Sequence, residues 1–355
     1  MAGKKAKKHY SGIGGQAVLE GIMMKNKEQY SVGVRKPDGN IEVEIDNYQG
    51  IAHGKPIEKI PFIRGVFNFI DSLILGMRAL NFSATFYAEE EDTKSDNNTA
   101  KDSKGESGIS ALVGIVSVVI ALALFMVLPV YITKLITKDI LNPSIVALIE
   151  GGIRLAIFLL YVISISLLRD IKRVYMYHGA EHKCINCIER GRPLTVGNVM
   201  RSSRLHKRCG TSFLLFVVVV SIIVFFFIRV DNMALKVLIR ILLIPVIAGI
   251  SYELLRLAGR FDNFLTNILS APGMLLQCLT TREPDEDMAE VAIAAVEAVF
   301  DWRAFLLEEF GYDYTEDEAS EDEDIQDIED LENSEESEAL VDSEAVEDAG
   351  ETDEN

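Results

Sequence analysis

The chain has 355 residues and a formal net charge of −19, and the excess of acidic residues is confined to one end. The segment 313–355 holds 22 acidic residues and no Lys or Arg, which leaves the rest with 35 basic and 32 acidic residues. Because this body is nearly balanced in charge, we predict no specific nucleic-acid partner. The acidic segment cannot bury a core, so we predict that it is a disordered tail.

Four apolar runs are long enough to be transmembrane helices, at roughly 109–136, 145–168, 213–228 and 234–255. The segment between the second and third runs, 169–212, contains ten Lys and Arg, and the N-terminus is also basic. Basic loops stay on the cytoplasmic side, so the pattern predicts a multi-pass protein of the inner (plasma) membrane with both termini cytoplasmic. The lipid bilayer is therefore the first predicted partner.

The region 1–60 combines glycines with a β pattern. Residues 31–36 and 41–45 alternate polar and apolar side chains, and the Pro-Asp-Gly-Asn sequence at 37–40 is typical of a turn. Together with 16–24 they predict a small cytoplasmic β-meander. The basic arm at 4–10 is predicted to be solvated near anionic lipid.

Outside the apolar runs, three further segments complete the predicted architecture. An amphipathic interfacial helix is expected at 61–88, because a fifth span there would place the basic loop outside the cell. A polar linker follows at 89–108, and amphipathic cytoplasmic segments are predicted at 258–312. The fold class is therefore mainly α: a polytopic membrane protein with helices in 109–168 and 213–257, a cytoplasmic loop at 169–212 and a small β-containing N-terminal region.

The second apolar run contains an oppositely charged pair, Glu150 and Arg154, one helical turn apart. Charges at membrane depth are costly and often functional. The alternative, which we favour from the sequence, is that the two side chains neutralise each other near the external boundary.

The sequence Tyr-His-Gly-Ala-Glu-His at 177–182 has the form H-x-x-E-H, the inverted zincin pattern. Because His178 and His182 are four residues apart, a helix presents both imidazoles on one face. Glu181 lies beside them and is the candidate catalytic base toward a water on a divalent metal, for which zinc is the first choice. An apolar stripe over the same residues predicts that the helix faces inward, and Gly191 is expected to end it.

Further His and Cys residues in the same loop supply candidate ligands. His206 and Cys209 are the candidates for the remaining metal positions, with Cys184-x-x-Cys187 held in reserve. An open position would permit catalysis, whereas four closed ligands would make the site structural. A third possibility is that the histidines only form hydrogen bonds in a polar core.

Four motifs in order resemble one known family. They are the glycine-rich Gly-Gly-Gln-Ala-Val-Leu-Glu-Gly-Ile-Met-Met at 14–24, the H-x-x-E-H motif, the segment 206–213, and the Ala-Pro-Gly at 271–273 followed by Leu-Thr-Thr-Arg-Glu-Pro-Asp at 279–285. In these the chain is similar to the YqhQ family of bacterial membrane proteins, a domain of unknown function described as a predicted metal-dependent enzyme. The resemblance implies membrane location and a metal site at His178, Glu181 and His182, extending to His206. The Cys184/Cys187 pair and the acidic tail are not part of the family pattern, which makes Cys209 the better cysteine ligand.

Two functions of different classes follow. The first is a metal-dependent membrane enzyme resembling a hydrolase, with His178, His182 and either His206 or Cys209 as ligands. The alternative is a non-catalytic scaffold or assembly factor in membrane-protein biogenesis, whose partner would be a membrane protein or the translocation machinery. The substrate and the oligomeric state are not predicted by the sequence.

Overall fold

A computed structural model describes residues 8–92, 114, 116–138, 142–230, 232–260, 263–312 and 314. The fold is mainly helical with one small antiparallel sheet near the N-terminal end, as the sequence predicts. Apart from Tyr314, the predicted acidic tail lies outside the described residues, and so does the predicted linker from residue 93 onward.

The sheet is a meander of four strands in the order of the sequence. The strands are β1 (Gly14–Val18), β2 (Gly21–Asn26), β3 (Gln29–Arg35) and β4 (Ile41–Asn47). Met24 is paired with Ser31, and Ser31 with Ile45, which fixes the register of the last three strands. The predicted turn between β3 and β4 is present, with Gly39 at a φ of 86° that glycine adopts without strain.

The helices cover most of the rest of the described chain. They are α1 (Ile63–Asp92), α2 (Val116–Ile136), α3 (Pro143–Ser166), α4 (Arg169–Glu189), α5 (Val196–Arg201), α6 (Gly210–Phe226), α7 (Met233–Leu242), α8 (Ile244–Arg260), α9 (Phe264–Thr280), α10 (Glu286–Glu297) and α11 (Trp302–Phe310).

Both faces of the sheet are covered by helices. Ile22 and Met24 point toward α4 and α10, whereas Met23 between them points to the opposite face, where Leu75 and Ala79 of α1 pack. This alternation is the period of two that a strand imposes on its side chains. The sheet therefore joins α1 to a helical body built around α4.

Helix α4 is the central element of that body. From Tyr177 to its end nearly every residue is buried, because β1, β2, α5 and α10 surround it. Gly191, at a φ of 79°, ends it as predicted. It is separate from α3, since Leu168 between them has extended backbone with a ψ of 136°.

The predicted four transmembrane helices are only partly confirmed. By length and composition α2 and α3 can cross a membrane, and α7 with α8 passes the same test as a pair bent by 45°. Helix α6 has 17 residues, fewer than the roughly 20 that a span requires. Pro245, which has no backbone N–H, lies just after the break in the bent pair. The described residues thus contain two candidate spans, or three if the bent pair counts as one.

Candidate metal centre

Three side chains predicted from the sequence as ligands converge on one point. His178 and His182 project from the same face of α4, and Cys209 approaches from the residue that caps the start of α6. Their ligand atoms all lie within 4.8 Å of one another. His178 Nε2 is 3.2 Å from Cys209 Sγ. Two imidazoles and one sulfur at this separation are a donor set able to hold a metal ion.

Backbone carbonyls fix the orientation of both imidazoles. His178 Nδ1 lies 2.9 Å from the Thr280 carbonyl oxygen, and His182 Nδ1 lies 2.6 Å from that of Arg204. A carbonyl only accepts, so each Nδ1 carries a proton and donates it. With Nδ1 donating to a carbonyl in each ring, Nε2 is the nitrogen left to bind a metal ion, and at His178 this requires release of the Nε2 proton.

The electrostatics of the cluster favour a thiolate. Burial opposes ionisation of Cys209, but His178 and His182 outweigh it and hold the pKa of the thiol well below its usual range. Burial likewise disfavours protonation of His178, but the Cys209 sulfur and Glu181 raise the pKa of this imidazole to about 9. The position of Cys209 at a helix N-terminus acts in the same direction. A thiolate beside imidazoles is the form that coordinates a divalent cation.

Glu181 lies at the edge of the same cluster. Its Oε2 is 3.9 Å from His178 Nε2, and its Oε1 accepts a hydrogen bond of 3.1 Å from the Gly15 N–H of β1. Burial raises the pKa of this carboxyl, although both histidines act against that shift. The carboxylate is close enough to serve the site as a base or as a further ligand.

Two glycines let backbone approach the site closely. A Cβ on Gly179 would lie 2.0 Å from the Arg282 carbonyl oxygen, and one on Gly15 would lie 2.5 Å from the Met23 carbonyl oxygen. Gly179 lowers helix propensity by about 1 kcal/mol relative to Ala. Gly179 allows the extended segment that follows α9 to cross α4 at the candidate metal centre.

His206 does not join the three converging ligands. Its ring centre is 5.7 Å from that of His182, and its Nε2 is 3.5 Å from Glu189 Oε2. Burial lowers the pKa of His206 to about 4, so the ring is neutral. His206 instead belongs to a second buried polar group centred on Glu189.

Glu189 anchors the N-terminal arm, a feature that the sequence did not reveal. Its carboxylate is fully buried and contacts Arg208 Nη2 at 2.5 Å, Lys8 Nζ at 3.4 Å and the N–H of Ser11 at 3.1 Å. Burial disfavours its charge, but the hydrogen bond with His206 and the nearby cations outweigh that penalty and lower the pKa of Glu189 to about 2. The described part of the arm is therefore docked on the protein, which corrects the prediction of a solvated segment.

The C-x-x-C pair lies in the apolar core. Cys184 and Cys187 are fully buried in the cluster formed by the sheet, α4 and α10. The Cys187 thiol donates to the Pro193 carbonyl at 3.3 Å, and burial raises the pKa of Cys184. Neither is among the three ligand atoms that the structure brings together.

Comparison with known proteins places the chain in a family. A family model described as "Protein of unknown function (DUF1385)" matches residues 60–302. The protein described as "Uncharacterized protein YqhQ" from Bacillus subtilis (strain 168) is 39% identical over 288 residues, which cover 79% of this chain and 89% of that protein. No solved structure matches. These matches confirm the resemblance carried by the four motifs: the chain belongs to the YqhQ family, whose family model is DUF1385.

Proposed function

We propose that the protein is a metal-dependent membrane enzyme resembling a hydrolase, with His178, His182 and Cys209 as metal ligands and Glu181 as the catalytic base. The observation that carries the proposal is the convergence of three ligand atoms within 4.8 Å, two of them on imidazoles whose other nitrogen is held by a backbone carbonyl. Ligating histidines in metalloproteins have this outer contact almost without exception.

The donor set fits zinc. Two nitrogens and one thiolate suit a borderline-soft ion, and His178, His182 and Cys209 would supply three protein ligands, the number that catalytic zinc sites use. When bound, such an ion supplies Lewis-acid chemistry, which polarises a carbonyl or phosphoryl oxygen and acidifies water. Glu181, with its raised pKa and its position beside His178, would accept the proton released by that water.

A substrate would enter the candidate metal centre beside the His178 side chain. The side chain of His178 is 13% exposed, compared with 6% for Glu181, and His182 and Cys209 are also buried. A substrate would therefore approach the site from the His178 side, while the carbonyls of Thr280 and Arg204 keep the two imidazoles in orientation.

For the membrane arrangement we propose four spans formed by α2, α3, α6 and the bent pair α7–α8. Helix α6 would be extended into the interface by the residues that flank it. The basic content of 169–212 supports a cytoplasmic metal centre and cytoplasmic termini in the inner (plasma) membrane. The active site would then lie just below the bilayer surface, where membrane-associated substrates are within reach.

The metal is tested by measuring metal content by mass spectrometry on the full-length protein purified in detergent. We expect near-stoichiometric zinc in the wild type and its loss in His178→Ala and in Cys209→Ser. The matched control is His53→Ala, because His53 is exposed and is not among the three converging ligands. Folded wild-type protein without any divalent metal, even after reconstitution, would exclude the proposal.

Catalysis is tested with Glu181→Gln. This variant should keep its zinc and its unfolding temperature but lose hydrolysis of a panel of chromogenic ester, peptide and phosphodiester substrates.

The burial of the cluster is the observation that supports the alternative function, a non-catalytic scaffold. A site closed to substrates can hold the N-terminal sheet on α4 without catalysing a reaction. This alternative predicts that Glu181→Gln complements a deletion strain as well as the wild type does, at equal membrane abundance.

A further inference from the structure

A second buried polar cluster lies at the other end of the helical bundle, around a cavity of about 290 Å³. The cavity is lined by the first turns of α3, the last turns of α6 and one face of α7. The metal centre adjoins the opposite ends, since Cys209 precedes α6 and the end of α3 leads into α4. The two clusters therefore lie on opposite sides of the proposed bilayer.

One carboxylate in this cluster is surrounded by three cations. Glu150 Oε1 lies 2.9 Å from Arg154 Nη2 and 2.6 Å from Arg240 Nη1, and Glu150 Oε2 lies 2.9 Å from Lys236 Nζ. Glu150, Arg154 and Arg240 are all buried. The sequence suggested a self-neutralising pair of Glu150 and Arg154, but the structure adds two cations from α7. Among the described residues these four side chains have an excess of two positive charges.

The arginines of this cluster have hydrogen-bond donors that find no acceptor among the described residues. The Nε atoms of Arg154 and Arg240 are buried and have no hydrogen-bond partner among the residues that the structure describes. Both guanidinium groups lie over the ring of Phe225, each 4.7 Å from its centre, so one aromatic side chain contacts both cations. Burying a cation without an acceptor is costly, and a second anion in the cavity would remove that cost.

We propose that this cavity binds a phosphate group, supplied by an anionic lipid headgroup or by free phosphate. Two guanidinium groups and one ammonium group line the same cavity, and these are the donors that bind phosphate oxygens. Arg229 also lines the cavity, and its Nη2 donates to Ser144 Oγ at 2.9 Å. Lys236 keeps 20% of its side chain exposed, so the cluster is not sealed. In the proposed arrangement the cavity is in the leaflet away from the metal centre and extends from Pro143, at the start of α3, to Arg154, near the middle of that helix.

Binding is tested on full-length protein in a neutral detergent, with three probes measured by native mass spectrometry and unfolding temperature. The probes are phosphatidylglycerol, phosphatidylcholine as the zwitterionic comparison, and inorganic phosphate. We expect phosphatidylglycerol to bind and to raise the unfolding temperature more than phosphatidylcholine does. If inorganic phosphate does not compete with phosphatidylglycerol for binding, the lipid headgroup is the source of the phosphate group. If inorganic phosphate saturates the site and phosphatidylglycerol does not bind, the source is the free ion.

Substitutions of single cations test whether the ligand binds at the Glu150 cluster. Lys236→Gln removes one charge with little risk to folding because this side chain is partly exposed. It should weaken binding about tenfold or more, because one charge-assisted hydrogen bond to the phosphate group is lost. Arg154→Lys should weaken it as well by removing the planar donor pair. The matched control is Lys134→Gln, an exposed cation near the end of α2 and therefore on the same side of the bundle.

Two results would overturn the proposal. One is equal affinity of wild type, Lys236→Gln and Lys134→Gln for the anionic lipid and for phosphate. The other is no binding of phosphate together with no preference for phosphatidylglycerol over phosphatidylcholine. The proposal does not depend on the metal centre, so Lys236→Gln should keep the zinc content of the wild type.

Discussion

Glu189 and Glu150 are both buried carboxylates ringed by basic groups, one beside the metal centre and one at the opposite end of the bundle. Around Glu189 the partners are complete: Arg208, Lys8, His206 and the backbone and hydroxyl of Ser11 all contact it. Arg208 also stacks 3.6 Å from the centre of the Tyr10 ring. Around Glu150, by contrast, three cations share one carboxylate and two guanidinium nitrogens have no partner among the described residues.

The contrast separates a structural role from a binding role. Buried charges stabilise a fold when every donor and acceptor is satisfied, and the Glu189 group satisfies this condition with a segment of its own chain. The Glu150 group leaves buried donors without an acceptor on two residues that line a cavity, which is the arrangement expected when an external anion completes it. Similar residue types thus serve two purposes, according to whether the chain itself supplies the remaining partners.

The largest expected effect is that of Glu150→Gln. The substitution leaves Arg154, Lys236 and Arg240 buried together without their carboxylate, so it should destabilise the protein by about 3–5 kcal/mol, as broken buried pairs do. Chemical unfolding in neutral detergent measures the loss. If the cavity binds a phosphate group, a saturating concentration of the ligand that binds the wild type, phosphatidylglycerol or inorganic phosphate, should recover part of it. An equal loss with and without both ligands would contradict the comparison.

Glu189→Gln should cost about 3 kcal/mol, the lower end of the same range, because Lys8 is partly exposed and can turn to water. Anionic lipid should recover none of this loss. The specific readout is hydrogen exchange, which should rise across residues 8–18 as the arm and β1 loosen. The control is Glu309→Gln, because Glu309 is an exposed residue whose partner, His9, lies on the same arm. This substitution should change the free energy of unfolding by less than about 1 kcal/mol. Unchanged exchange in Glu189→Gln would show that the arm is held by other contacts.

Glycine substitutions test how tightly each region is packed. Gly179→Ala should destabilise by about 1–3 kcal/mol, since the new methyl would lie 2.0 Å from a backbone carbonyl that is held in place. Gly151→Ala beside Glu150 should cost less, because its methyl would lie 2.6 Å from the Cγ2 methyl of Ile222, and a side-chain atom is freer to shift than a backbone carbonyl. Gly197→Ala is the control: its methyl meets nothing within 4 Å, so helix propensity should stabilise it by up to about 1 kcal/mol. Equal costs at Gly179 and Gly151 would show that the metal centre is no more tightly packed than the other cluster.

The sequence predicts the β-meander, the helix over the H-x-x-E-H motif and two of the converging ligands from periodicity and spacing alone. Cys209 follows from its proximity to the next apolar run and from the family resemblance. The outer contacts of the histidines are not predictable in the same way, because Thr280 and Arg204 contribute backbone carbonyls, which leave no side-chain pattern. The sequence predicts His206 as a metal ligand from its residue type alone. Its contact with Glu189 cannot be predicted from spacing, because the two residues are 17 positions apart.

The number of spans and the Glu150 cluster show a second limit. Hydropathy counts apolar residues but does not locate the break at Leu243, where a bent pair replaces one straight helix. Likewise, the pairing of Glu150 with Arg154 is visible one turn along α3, whereas Lys236 and Arg240 come from α7 and join the cluster only when the bundle is packed. Local periodicity predicts contacts within an element, and tertiary packing decides the charge of a buried cluster.

The smallest expected effect concerns the C-x-x-C pair. A double Cys184→Ala, Cys187→Ala variant deletes two buried sulfur atoms from the core, so each change should cost about 1 kcal/mol, by analogy with the loss of one buried methyl group. Its zinc content should equal that of the wild type, since the three converging ligand atoms remain in place. Metal analysis beside an unfolding curve decides the point. Loss of zinc at unchanged stability would mean that the pair reaches the metal in the loaded protein, and Cys209 would then lose its place as the sole cysteine ligand.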